Sequence, residues 1–532
     1  MRDVITSALR DALRQLGVEP PEDIQLEQPA RREHGDFSSN VALTTAKGVG
    51  RNPRELAQQL AEALGSALPD HVTAVEVAGP GFVNFRLDDG WLHDVIGTVV
   101  AAGADYGRND SGADRRVMVE YVSANPTGPV HAGHARGATY GDSLARMLAF
   151  CGHDVTEEFY VNDRGVQMQT FAASLAARKA GQEPPEGGYQ GQYIIDWAAR
   201  MPDDADPLEW GEAHAIADQQ RVLAMLGVSF DTWFSERAMV STGCIDETLA
   251  ELQERDMVEE SGGAVWLRST VFGDDTDRVL VKSDGEYTYL LPDIAYHRDK
   301  FARDVDLVIN VWGADHHGYV PRMKAAIQAL GHDPDDLEVV ITQLVRLERN
   351  GEEVKISKRA GDLITLEDLI DEVGADAVRL TYLLQSVDSP QTIDLDLVVR
   401  QSNENPVFYV QMANARINSI GRVAAERGIE RVPLTQADLS LLTHERELEV
   451  LRQLVVLPEV VVLAARERAP HKVTTWVRDL AAAVHGFYHD CPILSPDTPD
   501  DLRQARWWLA DAAGVGLRVG LGLLGVSAPE SM

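Results

Sequence analysis

Apolar positions along the chain recur with two periods, and the switches between them mark out three regions. Met1 to Leu16 reads as an amphipathic helix. Leu56, Leu60 and Leu64 repeat at helical spacing behind Asn52-Pro53, a capping residue followed by a proline suited to the first turn. Val72–Val77 and Phe82–Leu87 alternate as strands about the turn Gly79-Pro80-Gly81. Residues 1–110 are therefore expected to form a small α+β unit, closed by a polar linker over Gly107–Arg116.

Beyond the linker the pattern changes. Val117–Val122 is a short apolar run interrupted by Glu120. The Pro/Gly loop Asn125–Pro129 follows, then a helix over Ala132–Cys151 and a strand over Val155–Val161. Strand, loop, helix and strand in that order open a parallel α/β sheet of the Rossmann type. Asp306–Trp312 and Leu337–Leu344 read as further buried strands. Residues 181–260, first polar and Gly/Pro-bearing and then helical, read as an insertion. This places an α/β domain at 111–400. From Asn405 the period is helical throughout, and the runs Leu451–Ala465 and Trp476–Phe487 predict an all-α bundle over 401–532.

Composition narrows the classes. With 44% hydrophobic and 25% charged residues, the chain is ordinary for a globular protein. It has no apolar run of membrane-spanning length and no signal-peptide pattern, so a cytoplasmic location is expected. Three dispersed cysteines, Cys151, Cys244 and Cys491, form no C-x-x-C pair, so neither a structural metal nor a disulfide framework is expected. The net charge is −35, and only eight residues are lysine. Taken alone, that balance disfavours nucleic-acid binding. It fits either a salt-tolerant protein or simple compositional bias.

Two elements carry candidate chemistry. The loop Ala124-Asn125-Pro126-Thr127-Gly128-Pro129-Val130-His131-Ala132-Gly133-His134 joins a strand to a helix N-terminus, where unpaired N–H groups favour phosphate. His131 and His134 can donate to phosphate oxygens as charge develops, and Gly133 leaves room for a flat base. By itself H-x-G-H is a weak signal; the strand and loop around it strengthen it. The second element is Lys355-Ile-Ser357-Lys358-Arg359, after the hairpin turn Asn350-Gly351. In a lysine-poor chain, two lysines three apart suit the β- and γ-phosphates of a nucleotide.

The two elements resemble the paired nucleotide motifs of class I aminoacyl-tRNA synthetases. The flanking runs, Ser123 to Gly137 and Tyr160-Val-Asn-Asp-Arg-Gly-Val-Gln167, resemble arginyl-tRNA synthetases in particular. So do Glu404-Asn-Pro-Val-Phe-Tyr-Val-Gln-Met-Ala-Asn-Ala-Arg416, His34-Gly-Asp-Phe37 and Gly79 to Phe85. The resemblance implies arginine activation with ATP and Mg2+ and transfer to tRNA(Arg) by a monomer that binds neither DNA nor membrane. It implies catalytic roles for His131, His134, Lys355 and Lys358, with Ser357 and the loop 124–134 on ATP. It implies Glu120, Asn125, Tyr289, Asp293 and His316 on arginine. Glu120 is also readable as a structural ion-pair partner, Asp293 as a helix cap, and His316 replaces a glutamine of some relatives.

For tRNA the resemblance implies Phe82 and Asn84 at the elbow, and Tyr409, Met412 and Arg416 at the anticodon. Phe82 is equally readable as core. Arg416, Arg422, Arg427 and Arg431 form either a basic face or a solvated, acid-paired one. A small-molecule nucleotidyltransferase, a synthetase for another amino acid and a non-catalytic RNA binder are the rival readings.

Overall fold

The structure is a computed structural model and describes residues 1–29, 31–354 and 364–532. These fall into two compact units. One comprises Met1–Gly103, Val423–Val455 and Gly486–Ala513; the other comprises Ala104–Arg422, Val456–His485 and Gly514–Met532.

In the first unit, four antiparallel strands run in the order Leu26–Glu27, Phe37–Ser39, Phe82–Leu87, Val72–Ala78. The helix Pro53–Gly65 starts as its sequence predicts. Asn52 accepts from the backbone N–H of Arg54 and Glu55, and Leu56, Leu60 and Leu64 are buried.

The second unit is built on five parallel strands: β1 (Arg116–Glu120), β2 (Asp154–Val161), β3 (Thr232–Ser235), β4 (Leu307–Gly313) and β5 (Leu337–Thr342). Their order is β5-β4-β1-β2-β3. The chain winds outward from β1 through β2 to β3, then crosses to the other side for β4 and β5. The switch lies between β1 and β4, where Glu120 and Asn310 stand opposite each other in register. In open α/β sheets, ligands bind outside the strand C-termini at such a switch. Helix α1 (Ala135–Phe150) packs close to β1 because Gly141 is bare; a Cβ there would lie 2.2 Å from the Tyr121 ring.

Two expectations are refined. The segment 181–260 is no simple insertion, because it supplies β3, the edge strand of the sheet. The helix carrying Asp293, α2 (Leu290–Ala302), begins earlier than expected, so Asp293 lies inside its first turn and does not cap it. The Asn350-Gly351 turn forms the expected hairpin, with φ of 52° and 75° at the two residues. Four long helices, Pro406–Glu426, Glu445–Arg466, His471–Asp490 and Asp500–Leu523, account for the helical C-terminal pattern. Among the described residues, no helix is long and apolar enough to cross a membrane.

Candidate active site

The chain leaves β1 through Val122 and Ser123, both in the left-handed region (φ 69° and 41°). A β-branched residue there is strained, and such strain concentrates at functional sites. Ser123 Oγ donates to Glu120 Oε1 (2.9 Å) and accepts from Tyr160 N (3.1 Å), which fixes the bend.

Beyond it, His131 and His134 stack with ring centroids 3.6 Å apart. His131 Nδ1 accepts from Gly133 N (3.1 Å), and His134 Nδ1 accepts from His131 N (3.3 Å). Both neutral imidazoles are thereby held as the Nε2–H tautomer, with the donor on the edge away from the backbone. Gly133 serves this arrangement directly: a Cβ would lie 2.9 Å from the His131 ring. The glycine therefore makes room for the histidine, where the sequence suggested room for a base.

Lys355, Ser357 and Lys358 lie outside the described residues. The next described residues are tied to the histidine loop. Ala132 N donates to Ile364 O (3.1 Å), Leu366 N donates to Val130 O (2.8 Å), and His131 pairs with Thr365 as an isolated bridge. Tyr382 Oη donates to Ala132 O (3.0 Å) from the other side. Asn125 is exposed and donates to Gln167 Oε1 (3.1 Å).

At the switch point a buried relay runs from the Glu120 carboxylate to the main-chain carbonyl of Asp293. Lys300 is fully buried and donates to Glu120 and to Asn310 Oδ1 (2.8 Å). Asn310 Nδ2 donates to His297 Nε2 (2.8 Å), and His297 Nδ1 donates to the carbonyl of Asp293 (2.8 Å). Burial and the neighbouring Lys300 cation depress His297 to about 3, which keeps it neutral. Glu120 is thus an ion-pair partner, but of a lysine.

The Asp293 carboxylate is half-buried and accepts from Tyr319 Oη (2.6 Å). Burial, reinforced by the charges of Glu236 and Glu120, pushes it up to about 7. Glu236 is itself raised by burial, and Tyr160 and Arg164 bond to it. Asp163 fastens this turn by accepting from Ser235 Oγ and from Arg237 N (2.7 Å).

Tyr289 stands apart from this cluster, 93% exposed at the start of α2. His316 is also exposed, 3.6 Å from Asp315.

The residues missed in the sequence are Lys300, His297, Asn310, Tyr319, Tyr160 and Glu236. The spacing Asp293, His297, Lys300 puts three polar groups on one face of a helix, a signal that was readable. Nothing marked Glu236, which opens the short helix Glu236–Ser241 just after the strand hidden in the expected insertion.

Of the expected tRNA contacts, Phe82 is 37% exposed, whereas Asn84 is 4% exposed and accepts from Ser38 Oγ (2.7 Å). Met412 is half-buried. Tyr409 lines a cavity of about 420 Å3 with Asn403, Glu404 and Arg478. His485 Nε2 donates to Tyr409 O (2.9 Å), and its Nδ1 accepts from Arg416 (2.9 Å). The other three arginines of this region also have partners within the fold. Arg422 binds Glu530 O (2.9 Å), Arg427 binds Leu494 O (2.7 Å), and Arg431 pairs with Asp511 while lying 4.0 Å from the Trp508 ring centroid.

Comparison with known proteins bears on this geometry. The arginyl-tRNA synthetase N-terminal domain model matches residues 3–87. The class I (R) tRNA synthetase catalytic domain matches 96–190 and 210–419, and the DALR anticodon-binding domain matches 410–532. The arginine–tRNA ligase of Bacillus cereus is 45% identical over 96% of this chain and 94% of its own length. This chain is an arginyl-tRNA synthetase family member. The arginine–tRNA ligase of Bacillus subtilis is 43% identical over 100% of this chain and 99% of its own. Among solved structures, a putative arginyl-tRNA synthetase from Campylobacter jejuni superposes with a TM-score of 0.77 at 32% identity, covering 84% of this chain and 100% of its own. The Thermus thermophilus arginyl-tRNA synthetase gives 0.77 at 23% over the full length of both, a likeness of fold.

Proposed function

We infer that this chain is an arginine–tRNA ligase: it activates L-arginine with ATP and transfers the arginyl group to tRNA(Arg), releasing AMP and pyrophosphate. The observation that carries the reading is the pair of half-buried carboxylates, Asp293 bound by Tyr319 and Glu236 bound by Arg164, in a sheet whose first strand leads into a histidine loop on a helix N-terminus. Asp293 and Glu236 receive the guanidinium, which demands desolvated carboxylates. Glu120, held by Lys300, and Asn125 orient the α-amino end, with Tyr289 and His316 as outer contacts.

ATP enters as its magnesium complex on the loop 124–134. The arginine carboxylate attacks the α-phosphorus, the bond to the bridging oxygen breaks, and pyrophosphate leaves. The Nε2–H groups of His131 and His134 donate to phosphate oxygens as charge spreads, and Lys355, Ser357 and Lys358 hold the departing phosphates. The chain supplies no covalent nucleophile; positioning and charge stabilisation are its contribution. The terminal ribose hydroxyl of tRNA then displaces AMP. Phe82 meets the tRNA elbow from the strand that Asn84 anchors, and Tyr409, Met412 and Arg416 meet unstacked anticodon bases. The enzyme works as a cytoplasmic monomer, and activation requires bound tRNA.

The test is aminoacylation of total tRNA with each amino acid in turn. Arginine alone should be incorporated; charging with any other amino acid in its place overturns the reading.

A further inference from the structure

Helix Pro207–Met225 touches both the Pro/Gly loop and the helix Leu366–Val373. Within the loop Thr127 N donates to Asn125 O (2.8 Å), whereas Pro126 and Pro129 have no N–H to donate. Further support comes from outside. Gln219, fully buried, donates through Nε2 to Asn125 O (3.0 Å) and Gly128 O (3.2 Å). Its Oε1 is buried without a hydrogen-bond partner, so the side chain's polar role here is donation. Tyr193, on the neighbouring helix Gln192–Arg200, donates to Thr127 O (3.0 Å). Gly128 is bare beneath it; a Cβ would lie 3.1 Å from the Tyr193 ring.

Two residues beyond Gln219, Arg221 binds both carboxylate oxygens of Glu367 at 2.6 Å, braced by Asp218 at 2.8 Å. Glu367 sits in the first turn of the helix Leu366–Val373, whose N-cap is Thr365, the residue paired with His131. One helix thus grips the first nucleotide loop at one point and the helix Leu366–Val373 at another.

We propose that helix Pro207–Met225 is a strut that sets the register between the Pro/Gly loop and the helix Leu366–Val373 whose N-cap pairs with His131, with Gln219 and Arg221 as positioning residues. The proposal rests on assigning the loop to ATP. The expected insertion thereby acquires a mechanical role, since without its donors the Pro/Gly loop keeps its sequence but loses its place. A displacement of about 1 Å at a reacting centre costs on the order of a hundredfold in rate.

The experiment is ATP–pyrophosphate exchange with arginine and tRNA present, resolved into kcat and KM for ATP, alongside thermal unfolding. Gln219→Met and Tyr193→Phe should each lower kcat, the former by about tenfold to a hundredfold. Arg221→Glu should lower kcat by about fivefold, and adding Glu367→Arg should restore it to within about twofold. His134→Ala is the control for the site itself. If it abolishes exchange while the Gln219, Tyr193 and Arg221 variants keep the parent kcat, the strut is refuted and the ATP site stands. If His134→Ala retains full exchange, the ATP assignment fails first. Should Gln219→Met not fold, Tyr193→Phe and the charge reversal decide: loss with restoration supports the strut, and parental rates or loss without restoration overturn it.

Discussion

With Asp293 on the guanidinium, as proposed above, arginine binding is linked to a proton. Burial penalises the charge of this carboxyl and pushes it up to about 7. Relative to its ordinary 3.8, the shift corresponds to about 4 kcal/mol against ionisation. A guanidinium keeps its charge over this range and binds the ionised form. The ionised fraction rises from about 9% at pH 6 to about 91% at pH 8, so arginine affinity should rise roughly tenfold over that interval and level off above it. At pH 7, binding should release about half a proton per arginine.

Calorimetry in two buffers of different ionisation enthalpy measures both quantities. Asp293→Asn should weaken arginine by about tenfold to a hundredfold and abolish the proton release. The stability sign is opposite. The native state keeps a proton the unfolded state has lost, so the wild type loses up to about 4 kcal/mol between pH 4 and 7 relative to the Asn variant, with no further change above pH 7. Arginine affinity flat from pH 6 to 8, or undiminished proton release in Asp293→Asn, would refute the reasoning.

Three further outcomes are expected. His134→Ala should cut pyrophosphate exchange by about a hundredfold or more with little change in unfolding temperature; parental exchange would remove the histidine from transition-state stabilisation. Lys300→Met leaves Glu120 buried and unpaired, at a cost of about 3–5 kcal/mol, and adding Glu120→Gln should recover much of that stability without recovering activity; a stability loss unrelieved by the second change would contradict the ion-pair account. With a net charge of −35, the chain should unfold at higher temperature as KCl rises from about 0.1 to about 2 M, because screening relieves self-repulsion; a falling midpoint would contradict it.

Much of the fold was legible because its signals are local. Asn52 caps the helix behind it, Asn350-Gly351 turns a hairpin, and the helical period after Asn405 becomes four long helices. The strand Thr232–Ser235 was not legible. It is four residues long, none of them fully buried, and it acquires its role only by pairing with β2. The site divides along the same line. The histidine loop is contiguous in sequence and was found from it. The acidic pocket is assembled from the ends of separate strands and helices, so Glu236, Tyr160 and Tyr319 became visible only in three dimensions. The C-terminal arginines divide the same way: helical spacing placed Arg416 and Arg422 on a common helix, but their partners in the fold, His485 and the carbonyl of Glu530, come from distant parts of the sequence.

The pairing of Ile364, Thr365 and Leu366 with the histidine loop has a consequence for folding. These partners lie far apart in the sequence, so the loop takes its shape only after a long-range closure of the chain. Contacts of that kind form late and slowly, because the entropy of closing a long loop must be met before they form. The histidines are therefore set in place by the completed fold and not by their own stretch of chain.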